Sequence, residues 1–395
     1  MPANPKQSVV ILDEADEITL ADLTRACRVH ADWVMELIEE GVIEPRGKGG
    51  PQWRFAATTV VRVQKARRLH SDLGINLPGV AVSVPALSEK DIEDLRWALH
   101  LQADMIALSF VRSAEDVLDV RRIMDEEGVR LPVLAKVEKP QAVERLDEIV
   151  DAFDGIMVAR GDLGVELPLE DVPLVQTRAI SLARQAAKPV IVATQMLESM
   201  IEASRPTRAE ASDVANAVLD GADALMLSGE TSVGKHPIVA VQTMGRIIEK
   251  MEDNALNSVP PLEGKPRTKG GALTRAAAEV GELLGARYLV AFTQSGDSAR
   301  RLARLRSPIP LLAFTPVQAV RSQLALAWGV ETFLVPFAKH TDDMVRQVDQ
   351  ALLSAGRARP GDLVVIVASS PPGVVGSTNA MRVHRVGDSA GFPDA

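Results

Sequence analysis

Two stretches decide the fold: Pro132-Val133-Leu134-Ala135-Lys136-Val137-Glu138 and Gly155-Ile156-Met157-Val158-Ala159-Arg160-Gly161-Asp162. Each is a short apolar run that ends in charge. Residues two apart on a strand point to the same side. That alternation predicts that Lys136 and Glu138 share a side, and that Arg160 and Asp162 share a side. If the two strands are neighbours, two carboxylates and a lysine meet at one edge. Magnesium is commonly held by one or two carboxylates plus substrate oxygens, so the pattern points to a divalent-metal site with a cation beside it. Lys136 carries much of this weight, because an unpaired charge inside an apolar strand is costly. In isolation, Glu138 and Asp162 would read as ordinary solvated strand ends.

Working outward, the same unit recurs. Apolar strand candidates lie at residues 104–110, 132–138, 155–161, 189–195 and 224–230, with starts separated by 28, 23, 34 and 35 residues. Helical patterns fill the gaps, as at residues 114–127 and 174–187. Continuous apolar strands alternating with helices predict a parallel sheet covered by helices. Each run ends in polar residues: Ser109, Lys136 and Glu138, Arg160 and Asp162, Thr194 and Gln195, Ser228 and Glu230. Chemistry at the C-terminal ends of parallel strands is the arrangement of a (β/α)₈ barrel. Thr194, after the apolar run of residues 190–193, then has its hydroxyl at the same mouth.

Two further regions flank this one. After Ser258-Val259-Pro260-Pro261-Leu262, strand patterns resume at residues 288–293, 310–315, 330–335, 363–368 and 381–386, which predicts a smaller α/β domain. Before it, residues 21–29 and 31–40 read as two helices, followed by the Gly-rich turn 46–51, Trp53-Arg54-Phe55 and a basic helix over 58–73. That predicts a helix-turn-helix with a hairpin wing. The expected architecture is an α/β chain: tail 1–16, helix-turn-helix domain 17–75, incomplete barrel 76–255, linker 256–266, C-terminal domain 267–388 and tail 389–395.

Composition narrows the function classes. The chain has 395 residues, 46% hydrophobic and 25% charged, with net charge −9, which gives no whole-chain reason to expect nucleic acid or membrane partners. Its one cysteine, Cys27, excludes a disulfide within the chain, and its six histidines have no zinc-type spacing. No apolar run reaches the roughly 20 residues of a membrane span, and residues 1–7 lack a signal-peptide core. The expectation is a cytoplasmic protein.

Residues 134–140, 157–164, 192–200, 204–217 (SRPTRAEASDVANA) and 226–231 (MLSGET) resemble pyruvate kinase, in its actinobacterial form, over about four fifths of the chain from Asn76 onward. The resemblance implies phosphoryl transfer between phosphoenolpyruvate and ADP, giving pyruvate and ATP. It implies that Glu138 and Asp162 hold Mg²⁺ (or Mn²⁺), and that the Gly161 and Asp162 N–H groups meet the substrate carboxylate beside Arg160. Lys136 is then the group that stabilises the phosphoryl in flight. Thr194 lies where the enolate takes its proton, and Ser109 lies near the nucleotide phosphates. In the third region, Thr293, Ser295, Gly296 and Ser298 resemble an effector phosphate loop, with residues 373–379 as a second loop, implying a phosphorylated allosteric effector. A homotetramer is the family's usual assembly.

The chain departs from that pattern. Five units are three short of the eight a closed barrel needs. The family's first three strands and its lid domain have no counterpart here, and with them go the K⁺ ligands. No Arg-x-Asn-x-Ser pattern occurs in residues 1–75, where only residues 8–13 read as a strand. The expectation is little or no turnover by this chain alone. The N-terminal region resembles a MerR-type helix-turn-helix of the chaperone-modulator branch. Its second helix carries Asp32, Glu36, Glu39 and Glu40 and no Lys or Arg, which opposes DNA phosphate; the basic residues are Arg62, Lys65, Arg67 and Arg68. A protein partner, by resemblance a DnaJ-type co-chaperone, is expected through residues 17–75. Residues 73–81 read both as the end of that module and as the start of the barrel, without a linker, as if two parts were joined there. Two other functions fit less of the chain: a non-catalytic regulatory or chaperone-binding fusion, and a magnesium-dependent aldolase of the phosphoenolpyruvate/pyruvate barrel type.

Overall fold

The computed structural model describes residues 17–27, 29, 31–39, 43, 45–47, 53–56, 59–60, 63, 87–262, 264–374 and 376–391. The chain divides into two compact units, residues 1–85 and 86–395. The expected strand at 8–13, most of the 58–73 helix with its four basic residues, and the 73–81 junction lie outside the described residues.

In the first unit, β1 (Glu17–Thr19) pairs antiparallel with β2 (Arg54–Ala56). Helices Leu20–Cys27 and Ala31–Glu39 fall between them. Leu23, Cys27, Val34, Leu37, Ile43, Phe55 and Val63 form their shared core. Such a core holds two short helices against a ribbon that would be marginal alone.

The second unit begins with the Glu89–His100 helix, started by a capping box in which Ser88 and Asp91 satisfy each other's backbone N–H groups. Five strands follow: β3 (Ile106–Leu108), β4 (Val133–Val137), β5 (Gly155–Ala159), β6 (Val190–Ala193) and β7 (Ala224–Met226). They form one parallel sheet in chain order. Alternation sorts their side chains. Val133, Ala135 and Val137 join the large core beneath the helices. Leu134, Met157, Ile191 and Ala193 form a separate cluster on the other face. Lys136 lies on the Leu134 side of β4, which places a charge on the inner face of the sheet.

The third region forms a second sheet of β8 (Tyr288–Phe292), β9 (Leu311–Thr315), β10 (Val330–Leu334), β11 (Leu363–Ser369) and β12 (Thr378–Arg385), ordered β10-β9-β8-β11-β12 with β12 antiparallel. Leu289 and Ala291 face one core and Val290 and Phe292 the other, so helices cover both faces. This sheet and the first belong to one unit. Arg306 joins them: buried, it donates to the Gly221 and Ala222 carbonyls and to Asp223 Oδ1 at 3.0 Å, and it stacks 4.9 Å over Trp328. No described helix is long and apolar enough to cross a membrane.

Candidate active site

The site grows from the ends of β3, β4, β5 and β6. Lys136 donates to Ser109 Oγ at 2.9 Å, from the loop after β3, and its Nζ lies 2.5 Å from Glu138 Oε1. Glu138 is buried, and its Oε2 accepts the Phe110 N–H at 2.7 Å. Phe110 has φ +55°, a left-handed turn that aims this N–H back at the carboxylate. Burial pushes the Glu138 carboxyl above the ordinary carboxylate range; Lys136 and the Phe110 N–H oppose this, and nearby Asp162 adds to it.

The chain leaves β5 differently from expectation. The strand stops at Ala159, and residues Arg160–Glu166 form a helix. Arg160 and Asp162 therefore do not share a strand side, because residues two apart on a helix diverge. Arg160 turns instead to Asp213, which it grips through both oxygens at 2.7 and 2.6 Å. It also donates to the Thr194 and Gln195 carbonyls at 3.0 and 3.2 Å. Those two carbonyls belong to a turn in which Thr194 (φ +67°) and Gln195 (φ +54°) are both left-handed. That conformation is costly for a β-branched residue, and the Arg160 guanidinium clamps it. The Thr194 hydroxyl, so positioned, accepts the Gly161 N–H at 2.8 Å and donates to the Ala193 carbonyl. Gly161 is a close fit: a Cβ there would come within 3.2 Å of Thr194 Oγ1.

Two groups thus form. Ser109, Lys136 and Glu138 are joined directly, while Gly161, Thr194 and Arg160 are joined with Asp213. Asp162 accepts no hydrogen bond from any described residue, and its field is felt at Glu138. Glu138 Oε1 is buried and faces the Lys136 ammonium at 2.5 Å. A buried carboxylate near a second carboxylate is a donor set that a hard divalent cation takes. No cluster of three or more His, Cys, Asp or Glu side chains suits a metal among the described residues, so the remaining ligands would be substrate oxygens and water.

Sequence reasoning assigned no role to Asp213 or the Phe110 N–H, and placed Glu230 only as a polar strand end. Glu230 is buried and accepts from the Leu197 and Ser228 N–H groups, tying the loop after β6 to the end of β7. Asp213 had a usable signal: it sits on the Arg208–Asp220 helix, whose start is marked by the Thr207/Glu210 capping box.

In the third region, the Thr293 hydroxyl accepts the Gly296 N–H at 2.8 Å, and Gly296 takes φ +80°. Ser298 Oγ lies 2.6 Å from Thr378 Oγ1, and the Ser295 carbonyl accepts from Arg300. A small hollow of about 50 Å³ is lined by Thr293, Ser295, Ser298, Phe337, Gly373 and Thr378, among others. The loops at 293–298 and 373–379 therefore meet at one hollow.

Residues 37–241 match the pyruvate kinase barrel domain, and residues 271–384 the pyruvate kinase alpha/beta domain. A pyruvate kinase of Mycobacterium tuberculosis is 67% identical over 315 residues, covering 80% of this chain and 66% of the relative. One from Corynebacterium glutamicum is 62% identical over 329 residues, 83% and 69% of the two chains. Pyruvate kinase 2 of Synechocystis is 43% identical over 326 residues, 82% and 55%. The chain spans about two thirds of the length of the first two relatives. The chain belongs to the pyruvate kinase family.

Proposed function

We propose that this chain carries half of a phosphotransferase mouth that binds phosphoenolpyruvate and acts on it with ADP, and that turnover needs the rest of the barrel wall. The observation that carries the proposal is the buried Glu138 carboxylate on the inner side of the strand ends, in contact with the Lys136 ammonium at 2.5 Å and close enough to Asp162 to feel its charge. Glu138 and Asp162 are the residues that would hold Mg²⁺ or Mn²⁺. The cation, when bound, neutralises charge on the phosphoryl oxygens.

The chain's own residues do the positioning. Lys136, fixed between Ser109 and Glu138, presents one ammonium to a phosphoryl group without crossing open water. The Gly161 N–H is already bound to the Thr194 hydroxyl, so a substrate carboxylate taking that N–H exchanges one hydrogen bond for another. The exchange frees the Thr194 hydroxyl beside the carbon that takes the proton. Arg160 acts through the turn: it holds Thr194 and Gln195 in place. The hollow beside Thr293 and Ser298 is, in this reading, the seat of a phosphorylated effector.

Manganese EPR titration of the full chain tests the metal half. We expect one tight Mn²⁺ per chain in the presence of phosphoenolpyruvate, weakened at least tenfold in Glu138→Gln. Equal Mn²⁺ affinity in chain and variant would refute the assignment.

A further inference from the structure

A second lysine follows the Lys136–Glu138 pair. Lys139 precedes Pro140, which biases the residue before it to extended backbone, and Lys139 takes φ −118° and ψ 147°. Its carbonyl accepts the Ala142 and Val143 N–H groups at 3.0 and 3.3 Å, so it starts the Pro140–Glu144 helix. From this fixed backbone the side chain runs inward: Lys139 is 4% exposed. A buried ammonium is costly unless paired, and two groups meet this one. Glu166 Oε1 accepts from its Nζ at 2.8 Å. The Phe110 ring faces it too, with 5.3 Å from Nζ to the ring centroid.

Both partners belong to the surroundings of the proposed cation site. Phe110 is the residue whose N–H binds Glu138 Oε2 at 2.7 Å. Glu166 ends the Arg160–Glu166 helix that carries Asp162. Residues 162 and 166 are four apart, so they share a face of that helix. Lys139 therefore reaches from the chain neighbour of one carboxylate to the helix face of the other. It also offsets Glu166, whose charge opposes that of Asp162 at this spacing. A buried ion pair gives little stability over an apolar pair of the same size. What this one supplies is placement: the end of β4, the loop after β3 and the helix after β5 meet at one ammonium.

We propose that Lys139 is a positioning residue of the cation site, setting the separation of Glu138 and Asp162 through Glu166 and the Phe110 ring. The inference deepens the reading of Glu138 and Asp162 as the cation's ligands, and rests on it. Charge and placement predict opposite signs. On charge alone, losing a lysine beside the site strengthens metal binding. Losing the placement weakens it.

The test measures Mn²⁺ affinity by EPR, with phosphoenolpyruvate present, for the full chain and three variants. Native-state hydrogen exchange of the metal-free proteins is read at the Phe110 amide and at the Leu167 amide, which donates to Leu163 at 2.8 Å and closes the helix. Lys139→Met should weaken Mn²⁺ at least tenfold and speed both amides at least tenfold. Lys139→Met/Glu166→Gln strands no charge and keeps the local net charge, yet lacks the tether; it should show the same losses, and it carries the test if the single variant does not fold. Lys139→Arg, which can pair with Glu166 and stack on Phe110, should stay within threefold of the unaltered chain. Mn²⁺ bound as tightly or more tightly by Lys139→Met, or exchange unchanged in the double variant, would overturn the inference alone. An unaltered chain that binds no Mn²⁺ would overturn the cation site and this inference with it.

Discussion

Replacing Arg160 with methionine tests how the mouth is held together. Arg160→Met keeps most of the side-chain volume but loses the contact of Arg160 Nη1 with both Asp213 oxygens and the bonds to the Thr194 and Gln195 carbonyls. Asp213 is 37% exposed on its side chain, so water replaces most of what it loses, and we assign that part little. The two carbonyl bonds involve a charged donor and are worth about 1–2 kcal/mol each. Against this, release lets the Thr194–Gln195 turn relax, recovering about 1–2 kcal/mol of left-handed backbone strain. The net cost is about 0–3 kcal/mol, a fall in melting temperature of no more than roughly 6 °C for a unit of this size. The local effect is larger. Once the turn relaxes, the Thr194 hydroxyl leaves the Gly161 N–H, and exchange of that amide should speed by a factor of about 100, the scale of 2.7 kcal/mol of lost local protection. The assay is native-state hydrogen exchange read at Gly161, with a thermal melt alongside. Arg160→Lys should fail to rescue, because one ammonium cannot reach Asp213 and two carbonyls at once. Unchanged Gly161 protection in Arg160→Met, or full rescue by lysine, would refute the clamp.

Three other outcomes follow. Arg306→Met removes a buried cation from Asp223 and the Gly221 and Ala222 carbonyls; we expect about 3–5 kcal/mol of destabilisation and, in calorimetry, separation of the two sheets' unfolding into two transitions. Asp349 is buried against His384 at 2.7 Å and accepts the Ser389 hydroxyl and N–H. Burial alone would raise its pKa, but these hydrogen bonds together hold it below the ordinary carboxylate value of 3.8. A depressed carboxyl stabilises the fold above that value and loses the effect as pH falls below it, so Asp349→Asn should cost about 2–3 kcal/mol at pH 7 and progressively less below pH 3.8 in denaturant titrations. Glu138 has the opposite sign: its raised pKa means that the ionised, metal-free form weakens the fold above the ordinary value of 4.5. Glu138→Gln should therefore change the metal-free melting temperature little at pH 7, yet abolish the rise that saturating Mn²⁺ with phosphoenolpyruvate gives the unaltered chain, about 2.7 kcal/mol at a hundredfold excess over Kd.

Much of the strand order was legible because buried parallel strands are continuous apolar runs bounded by polar residues, as at Val133–Val137 and Val190–Ala193. Lys136 and Glu138 were legible as a pair because one residue of alternation survives past the end of β4. Arg160 and Asp162 were not, because the chain enters a helix at Arg160 and the period changes from 2 to 3.6 at that residue. The Thr194–Gln195 turn has no sequence signature. Nothing in Ala193-Thr194-Gln195 announces a left-handed threonine; the conformation is imposed by Arg160 and Gly161, which are distant in the chain.

The central claim is that one half of a phosphotransferase mouth binds its substrate through Glu138 and Asp162. Titration calorimetry of phosphoenolpyruvate into the full chain, with and without Mg²⁺, tests it most directly. The account predicts one site per chain that needs the cation and disappears in the Glu138→Gln/Asp162→Asn double variant. Binding of equal strength without Mg²⁺, or binding that survives in the double variant, would contradict it.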